Sequence, residues 1–357
     1  MPQPTVTDVH VNVPLTNISV AYIQQQQAFR AAEIFPMIPV QKMSDKYFYY
    51  TKDYWFTNEA KVRADGAESE GTGYGVDSSN SYSCDIYALH HDLGDRVVLN
   101  ADSPLNMQRD STLFLTQKLL LAREKKWVDN FFTTGKWNQS VAALMDPAAT
   151  TAALTTAGYG TAASAITYWD DYTNSTPVQD IRHYKMAMAA ATGFVPNTLV
   201  LGPKVYETLC MHPDIIERIK YGGTPGAPAV ISENALAQVL GVDRVVVPMA
   251  VMNSGAEGIA AATAESDTDF LYGLNALLCY SNPTPSLLTP SAGYTFGWTG
   301  YLMGGGGYQN AGGAGWFAVR DFRIEWRRAL RIEAEMAMDM KLIATDLGIF
   351  MSGVTSA

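Results

Sequence analysis

An α+β fold with long strands is predicted by three features of this 357-residue chain. The segment RDFRIEWRRALRIEAEMAMDMKL, residues 320–342, alternates almost without a slip. Ten of the eleven even positions from 322 to 342 are apolar, and nine of the eleven odd positions from 321 to 341 are charged. Side chains of a strand point to opposite faces with period two, so this is one apolar and one ionic face. A stretch over residues 103–132 carries apolar residues at helical spacing and predicts one long helix. Residues 179–300 mix short helical and strand patterns with short links, the signature of a compact α+β unit.

In the alternating segment propensity and period disagree. Ala, Leu, Glu, Arg and Met favour helix, but on a helix Glu325, Ala329 and Glu333 share a stripe beside Trp326 and Leu330, and no clean apolar face forms. Period decides for strand. The one exception on the apolar face, Arg328, marks a bulge or a tight turn between two strands.

The other elements follow in chain order. Residues 1–36 read as an arm, with a helical piece offering Ile23, Phe29, Ala32 and Ile34 for packing and ending at Pro36. Residues 37–100 hold two strand-like runs, MIPVQKMSDKYFYYTKDYWF and SYSCDIYALHHDLGDRVVL, rich in β-branched and aromatic residues. Between them lies the polar, glycine-rich NEAKVRADGAESEGTGYGVDSSN, longer than loops without a task usually are. This predicts a hairpin projecting from the body. Residues 101–178 hold the long helix, with Ser103 as N-cap and Pro104 in the first turn. Leu113, Phe114, Leu120, Leu121, Trp127, Val128 and Phe131 form its apolar face, and at 1.5 Å per residue it is roughly 40 Å long.

From 179, DIRHYKMAMAAATGF is a helix stopped by Gly193, PNTLVLGP a short strand, and KVYETLCMHPDIIERIKYG a helical pair broken by Pro213. SENALAQVLGVDRVVV is a helix capped by Ser232 and followed by a strand, and DFLYGLNALLCYSN, 269–282, is one apolar strand. Residues 301–357 carry a glycine cluster and then the long strands. The expected core face pairs Phe114, Leu121 and Val128 of the helix with Trp326, Ile332 and Met338 of the strands.

Composition excludes several functions. The net charge of −10 disfavours direct gripping of DNA, which needs a basic surface. Cys84, Cys210 and Cys279 are odd in number and form no C-x-x-C pair, so neither a disulfide framework nor a zinc site is expected. The N-terminal residues show no signal peptide, no run of about eighteen apolar residues suggests a membrane span, and a reducing cytoplasm suits the cysteines. Catalytic chemistry is poorly supported. His90 and His91 face opposite ways on a strand. Cys210 and His212 lack a visible third group, and a free Cys is most often a small buried hydrophobe. The glycines at 304–307 lack the Lys-Ser/Thr of a phosphate loop. No catalytic residue, cofactor or metal is expected.

The order of parts resembles the major capsid proteins of tailed bacteriophages. LTNISVAYIQ followed by FPMIPVQKMSDKYFYYTKDYWF resembles that family's entry into its extended loop, and DSPLNMQRDSTLFLTQKLLLAREKKWVDNFF its spine helix. PNTLVLGPKVYETLCMHPDIIERIKY with ALAQVLGVDRVVV resembles its axial domain, and RIEWRRALRIEAEMAMDMKLIATDLGIFM its closing strands. The resemblance implies an N-terminal arm (1–36), an extended loop (37–100), a peripheral domain with the spine helix (101–178), an axial domain (179–300) and a return to the peripheral domain (301–357). It implies hexamers and pentamers of the chain closing into an icosahedral shell around DNA, assembled in the host cytoplasm. Portal, scaffolding and decoration proteins are the implied partners; with about 35 residues before the loop, scaffolding is expected to be a separate protein or absent. Contacts between subunits are expected at Lys61, Arg63, Asp65, Glu68, Glu70 and Tyr74 of the loop, Arg30 of the arm, and Arg323, Arg327 and Arg331 of the strands. Two other readings stay open: a bacterial nanocompartment shell of the same fold, and a soluble enzyme using Cys210 and His212.

Overall fold

The computed structural model describes residues 24–50, 52–101, 105–144, 166–222, 231–253, 268–284, 290–300 and 317–356. In chain order its elements are α1 (Ala31–Ile34), β1 (Met37–Val40), β2 (Ser44–Lys46), β3 (Tyr49–Tyr50), α2 (Lys52–Trp55), β4 (Val76–Asp77), β5 (Ser81–Ser83), β6 (Asp85–Gly94), α3 (Asp95–Leu99) and α4 (Met107–Phe131). There follow β7 (Gln139–Leu144), β8 (Ile166–Thr167), α5 (Pro177–Thr192), β9 (Thr198–Leu201), α6 (Pro203–Met211), α7 (Pro213–Gly222), α8 (Glu233–Leu240) and β10 (Arg244–Val246). The chain ends with β11 (Val251–Asn253), β12 (Thr268–Phe270), β13 (Ala276–Cys279), β14 (Gly293–Trp298), β15 (Phe317–Ile324), β16 (Ala329–Leu342) and β17 (Gly348–Ser352).

Two sheets dominate. The long alternation becomes the β15–β16 hairpin, turned by a short 3-10 segment at Glu325–Arg327 and by Arg328 in the left-handed region (φ 47°). The exception on the apolar face is therefore the tight turn. Strand β16, about 45 Å long at the usual strand rise, organises the first sheet. Its residues 329–336 pair with both β6 and β15, and Met338 pairs with both Asp85 and Gly297. So β6 lines one edge of β16, while β15 and β14 share the other, with β1 beyond β14. The second sheet has the order β10-β9-β13-β17-β7-β8.

Strand pairing cuts across the divisions expected from sequence. β7 and β17, from the stretches read as peripheral, pair into the same sheet as β9 and β13. The apolar run 269–282 is also two strands rather than one, because residues 271–274 turn between β12 and β13. The helices near β9 follow their caps: α5 ends at Gly193 (φ 74°), and the Ser232 hydroxyl accepts the Ala235 N–H at the start of α8.

Helix α4 lies at the junction of the two sheets. Leu115, Leu119, Trp127 and Phe131 are buried in one core with Ile332, Met336 and Met338 of β16 and with Val200, Leu277 and Phe350 of the second sheet. A second core packs α5, α6 and α8 on Leu199, Leu201, Leu278 and Ile349. Ser103 and Pro104 lie outside the described residues; the helix begins at Met107, and the Asn106 side chain accepts the Arg109 N–H as its cap.

The expected core face needs correction at the helix and at the turn. Ile332 and Met338 are buried, and Val128 is half-buried against the core. Phe114 is 53% exposed, Leu121 is half-buried, and Trp326 is 79% exposed. The buried face of α4 runs through Ser111, Leu115, Leu119, Arg123 and Trp127, which puts Phe114 on a flank. Trp326 sits in the turn, where strand alternation no longer applies. The ionic face of β16 is also not wholly wet, for Glu335, Ala337 and Asp339 are buried.

This placement predicts that Leu119→Ala destabilises the subunit by about 2–5 kcal/mol, and Phe114→Ala by less than about 1 kcal/mol, measured by urea unfolding of the unassembled chain.

Candidate functional site

The hairpin between β1 and β6 is built in two ladders. Ser44–Lys46 pairs antiparallel with Ser81–Ser83, and Tyr49–Tyr50 with Val76–Asp77. Its base is fastened to the first sheet. Tyr82 stacks on Phe296 at 4.7 Å between ring centroids, Tyr47 stacks at 5.7 Å, and the Ser83 N–H donates to buried Asp339 at 2.9 Å. This packing covers Asp339 on the ionic face of β16, while Glu335 is met by Arg320 and Ala337 packs with Ala318 and Trp298. Lys52 reaches Asp346 at 2.8 Å.

Beyond that base the hairpin is exposed. Lys61 and Glu70 clasp its two arms at 2.9 Å, both largely in solvent, and Gly66 (φ 79°) turns the tip. Arg63, Asp65 and Glu68 lie exposed between them. An exposed ion pair of this kind is worth about 0–1 kcal/mol, so it shapes the loop more than it stabilises it. At the waist, Tyr50, Trp55 and Tyr74 gather with centroids 6.1–6.2 Å apart, and Phe48, Tyr54 and Phe56 are more than half exposed beside them in sequence. So many exposed aromatics on one projection mark an interaction surface.

The strand arginines bind within their own chain. Arg331 meets Asp92 with two bonds, Nε to Oδ1 at 2.6 Å and a terminal nitrogen to Oδ2 at 2.8 Å, and Arg327 adds a bond at 3.0 Å. The Arg331 hydrogen bond holds the Asp92 carboxyl below its ordinary pKa. Arg323 forks onto Asp95, and Arg320 bridges Glu333 and Glu335.

The root of the arm is held by buried polar contacts. Glu124 of α4 is fully buried and accepts the N–H groups of Arg30 and Ala31 at 3.0–3.2 Å and the Tyr272 hydroxyl at 2.7 Å. Burial pushes its carboxyl pKa up against those hydrogen bonds. At the other end of α1, the Arg244 guanidinium donates to the carbonyls of Glu33 (2.7 Å) and Ile34 (3.1 Å). A carboxylate at the N-terminus and a cation at the C-terminus complement the helix dipole. Arg30 itself reaches Glu233 at 2.7 Å, while Phe35 packs edge-on to Phe131. Ile23 lies outside the described residues, and Ala32 is exposed.

Six of the ten residues expected at neighbours, Arg30, Lys61, Glu70, Arg323, Arg327 and Arg331, thus have ionic partners in their own chain. Arg63, Asp65, Glu68 and Tyr74 remain on the projecting loop. Glu124, Tyr272 and Arg244 carry no local sequence signal, because their partners come from distant segments.

The Cys210–His212 pair does not assemble as a thiolate–imidazole couple. His212 is buried, with Nε2 against the Ser175 hydroxyl at 3.0 Å and Nδ1 accepting the Asp214 N–H at 3.3 Å, so both ring nitrogens are occupied. Burial also pushes the Cys210 thiol pKa up, away from a reactive thiolate. His91 pairs with Ser111 at 2.8 Å, and His90 is exposed. Among the described residues no group of three or more His, Cys, Asp or Glu is placed to hold a metal ion, and no helix is long and apolar enough to cross a membrane. The glycines at 304–307 lie outside the described residues.

Against known proteins, a family model described as phage major capsid protein E matches residues 143–235. A major capsid protein of Burkholderia phage BcepMu is 25% identical and covers 96% of both chains. Among solved structures, a phage-related protein from Bordetella bronchiseptica superposes with a TM-score of 0.63 at 19% identity, covering 94% of each chain. The capsid of cyanophage P-SCSP1u follows at 0.55 and 12% over 98% of each, and the encapsulin of Synechococcus elongatus reaches 0.52 at 11% over 99% and 97%. The chain has the fold shared by these shell proteins.

Two outcomes test the contacts at this site. The Asp92 carboxyl, held low, stabilises the fold above the ordinary Asp pKa of about 4, and that contribution disappears as pH falls through its folded-state value. The gap in urea midpoint between the parent and Asp92→Asn therefore closes below about pH 4. Glu124→Ala strands two N–H groups and a hydroxyl in a dry site, at a cost of about 3 kcal/mol or more, and limited proteolysis then cuts residues 24–36 that the parent protects.

Proposed function

We propose that this chain is the major capsid protein of a tailed phage, a structural tile whose copies close into an icosahedral shell. The observation that carries the reading is that the likeness to a phage major capsid protein runs from end to end, on a shared fold, rather than over one segment. The parts make sense together in that role. A stiff plate of long strands is backed by one long helix, and a hairpin with a fixed base and an exposed aromatic waist reaches beyond the body.

In the finer reading the tiles form hexamers and pentamers, and the hairpin, with Arg63, Asp65, Glu68 and Tyr74, lies over an adjacent subunit. Closed symmetry multiplies many modest contacts into a strong shell. The shell encloses DNA without reading its sequence, in keeping with a net charge of −10. Portal, scaffolding and decoration proteins complete the particle in the host cytoplasm. The role is geometric rather than catalytic, a view supported by the occupied nitrogens of His212.

Electron microscopy of the purified particles, with extraction of nuclease-protected DNA, tests the reading. The fold shared with an encapsulin makes a nanocompartment the competing outcome; closed particles holding a protein cargo and no DNA would decide for it. A further outcome concerns the loop. Replacing Val62 to Gly73 by a short Gly-Ser link leaves a folded, soluble subunit with at least tenfold fewer closed shells by sedimentation. Undiminished shell yield would remove the loop from assembly.

A further inference from the structure

Among the described residues, strand β6 has an edge that no strand covers. Asp85–Gly94 pairs with β16 on one side, and among the described residues no strand pairs with the other. Alternate N–H and C=O groups along such an edge are a template for another strand. Sheets usually blunt open edges with charge or proline. β15 follows that rule, with Arg320, Asp321 and Arg323 along its length. The middle of β6, IYALHH, carries no Lys, Arg, Asp, Glu or Pro.

An apolar shelf runs beside this edge. Leu89, on the same face of β6 as His91, is 38% exposed. On α4, Ser111 bonds His91 of β6, and Phe114 stands one turn further on the same flank with the Lys118 ammonium over its ring. These are apolar residues placed where an added strand would cover them.

The chain contains a segment of matching character before its first described residue. In TVTDVHVNV, residues 5–13, six of nine residues are β-branched, and Val9, Val11 and Val13 alternate with Asp8, His10 and Asn12. Nine residues of strand span about 30 Å, the length of β6. Pro14 then ends the run. Within one body the arm root leads into β1, which lies on the opposite side of β16 from β6. Gln24 is bound through both amide atoms to the backbone of Val251 in β11. Each subunit's arm root is therefore anchored away from its own β6 edge.

We infer that the free edge of β6 and the Phe114 flank receive residues 5–13 of a second copy as an added β-strand. The inference rests on the shell reading and names where one tile is tied to the next. Main-chain hydrogen bonds supply the affinity, and the alternate valines, laid against Leu89 and Phe114, set the register.

The test uses assembled full-length particles with a photo-crosslinking benzophenone residue at position 10, made from an equal mixture of isotopically heavy and light copies. The expected product joins position 10 to residues 85–94 or to the Phe114 flank, with mixed heavy–light pairs present. Adducts only within one copy, or only elsewhere, overturn the assignment. Closed shells in the microscope without the adduct refute this inference while leaving the shell reading intact; an absence of shells removes both. In parallel, Val11→Asp speeds amide exchange over residues 86–91 at least tenfold in particles. Unchanged exchange there also counts against the added strand.

Discussion

The structure turns on one buried carboxylate. Glu124 sits in the middle of a long helix, out of reach of water, and joins three segments far apart in sequence: the arm root at Arg30 and Ala31, the helix itself, and Tyr272 between β12 and β13. A carboxyl group is costly to bury in such a place, and it is tolerated because its oxygens accept from Arg30, Ala31 and Tyr272. Direct hydrogen bonds are short-ranged and directional, so the contact fixes where the arm enters the body. The aromatic packing of Phe35 on Trp127 and Phe131 then fills the space around it. Two sheets, one helix and the arm root become a single solid piece.

That rigidity gives the projecting parts their meaning. A loop can bridge to another molecule reproducibly only if its base is held. Here Tyr47 and Tyr82 clamp the base to Phe296, while the tip carries only a solvent-screened clasp. The same division recurs along β16. Its apolar side is committed to the core, its charged side is satisfied inside the chain, and interaction is left to the margins of the plate.

Much of the fold was legible because strand alternation in residues 320–342 is long and regular, and because Gly193 and Ser232 mark helix ends by local chemistry. The buried face of α4 was not. A pattern of residue types counts Phe114 as core and gives Glu124 no special place, whereas burial depends on partners brought from Ala31 and Tyr272, which no local window contains. Trp326 is exposed for a related reason: the 3-10 turn at Glu325–Arg327 interrupts the alternation. Because Phe322 pairs with Arg331 and Ile324 with Ala329, the even positions of β15 and of β16 lie on opposite faces, a switch that the unbroken pattern conceals. The hairpin could be read from its composition. Its clamp to Phe296 could not, since that contact spans more than two hundred residues.

The internal pairing of the strand arginines has a thermal corollary. Cations already matched to Asp92, Asp95 and Glu333 contribute little to cohesion between tiles. If tiles meet through the hairpin as proposed, its exposed aromatic waist adds to the loop's charges an attraction that weakens in the cold and is little affected by added salt. On that reading the wall loosens on chilling.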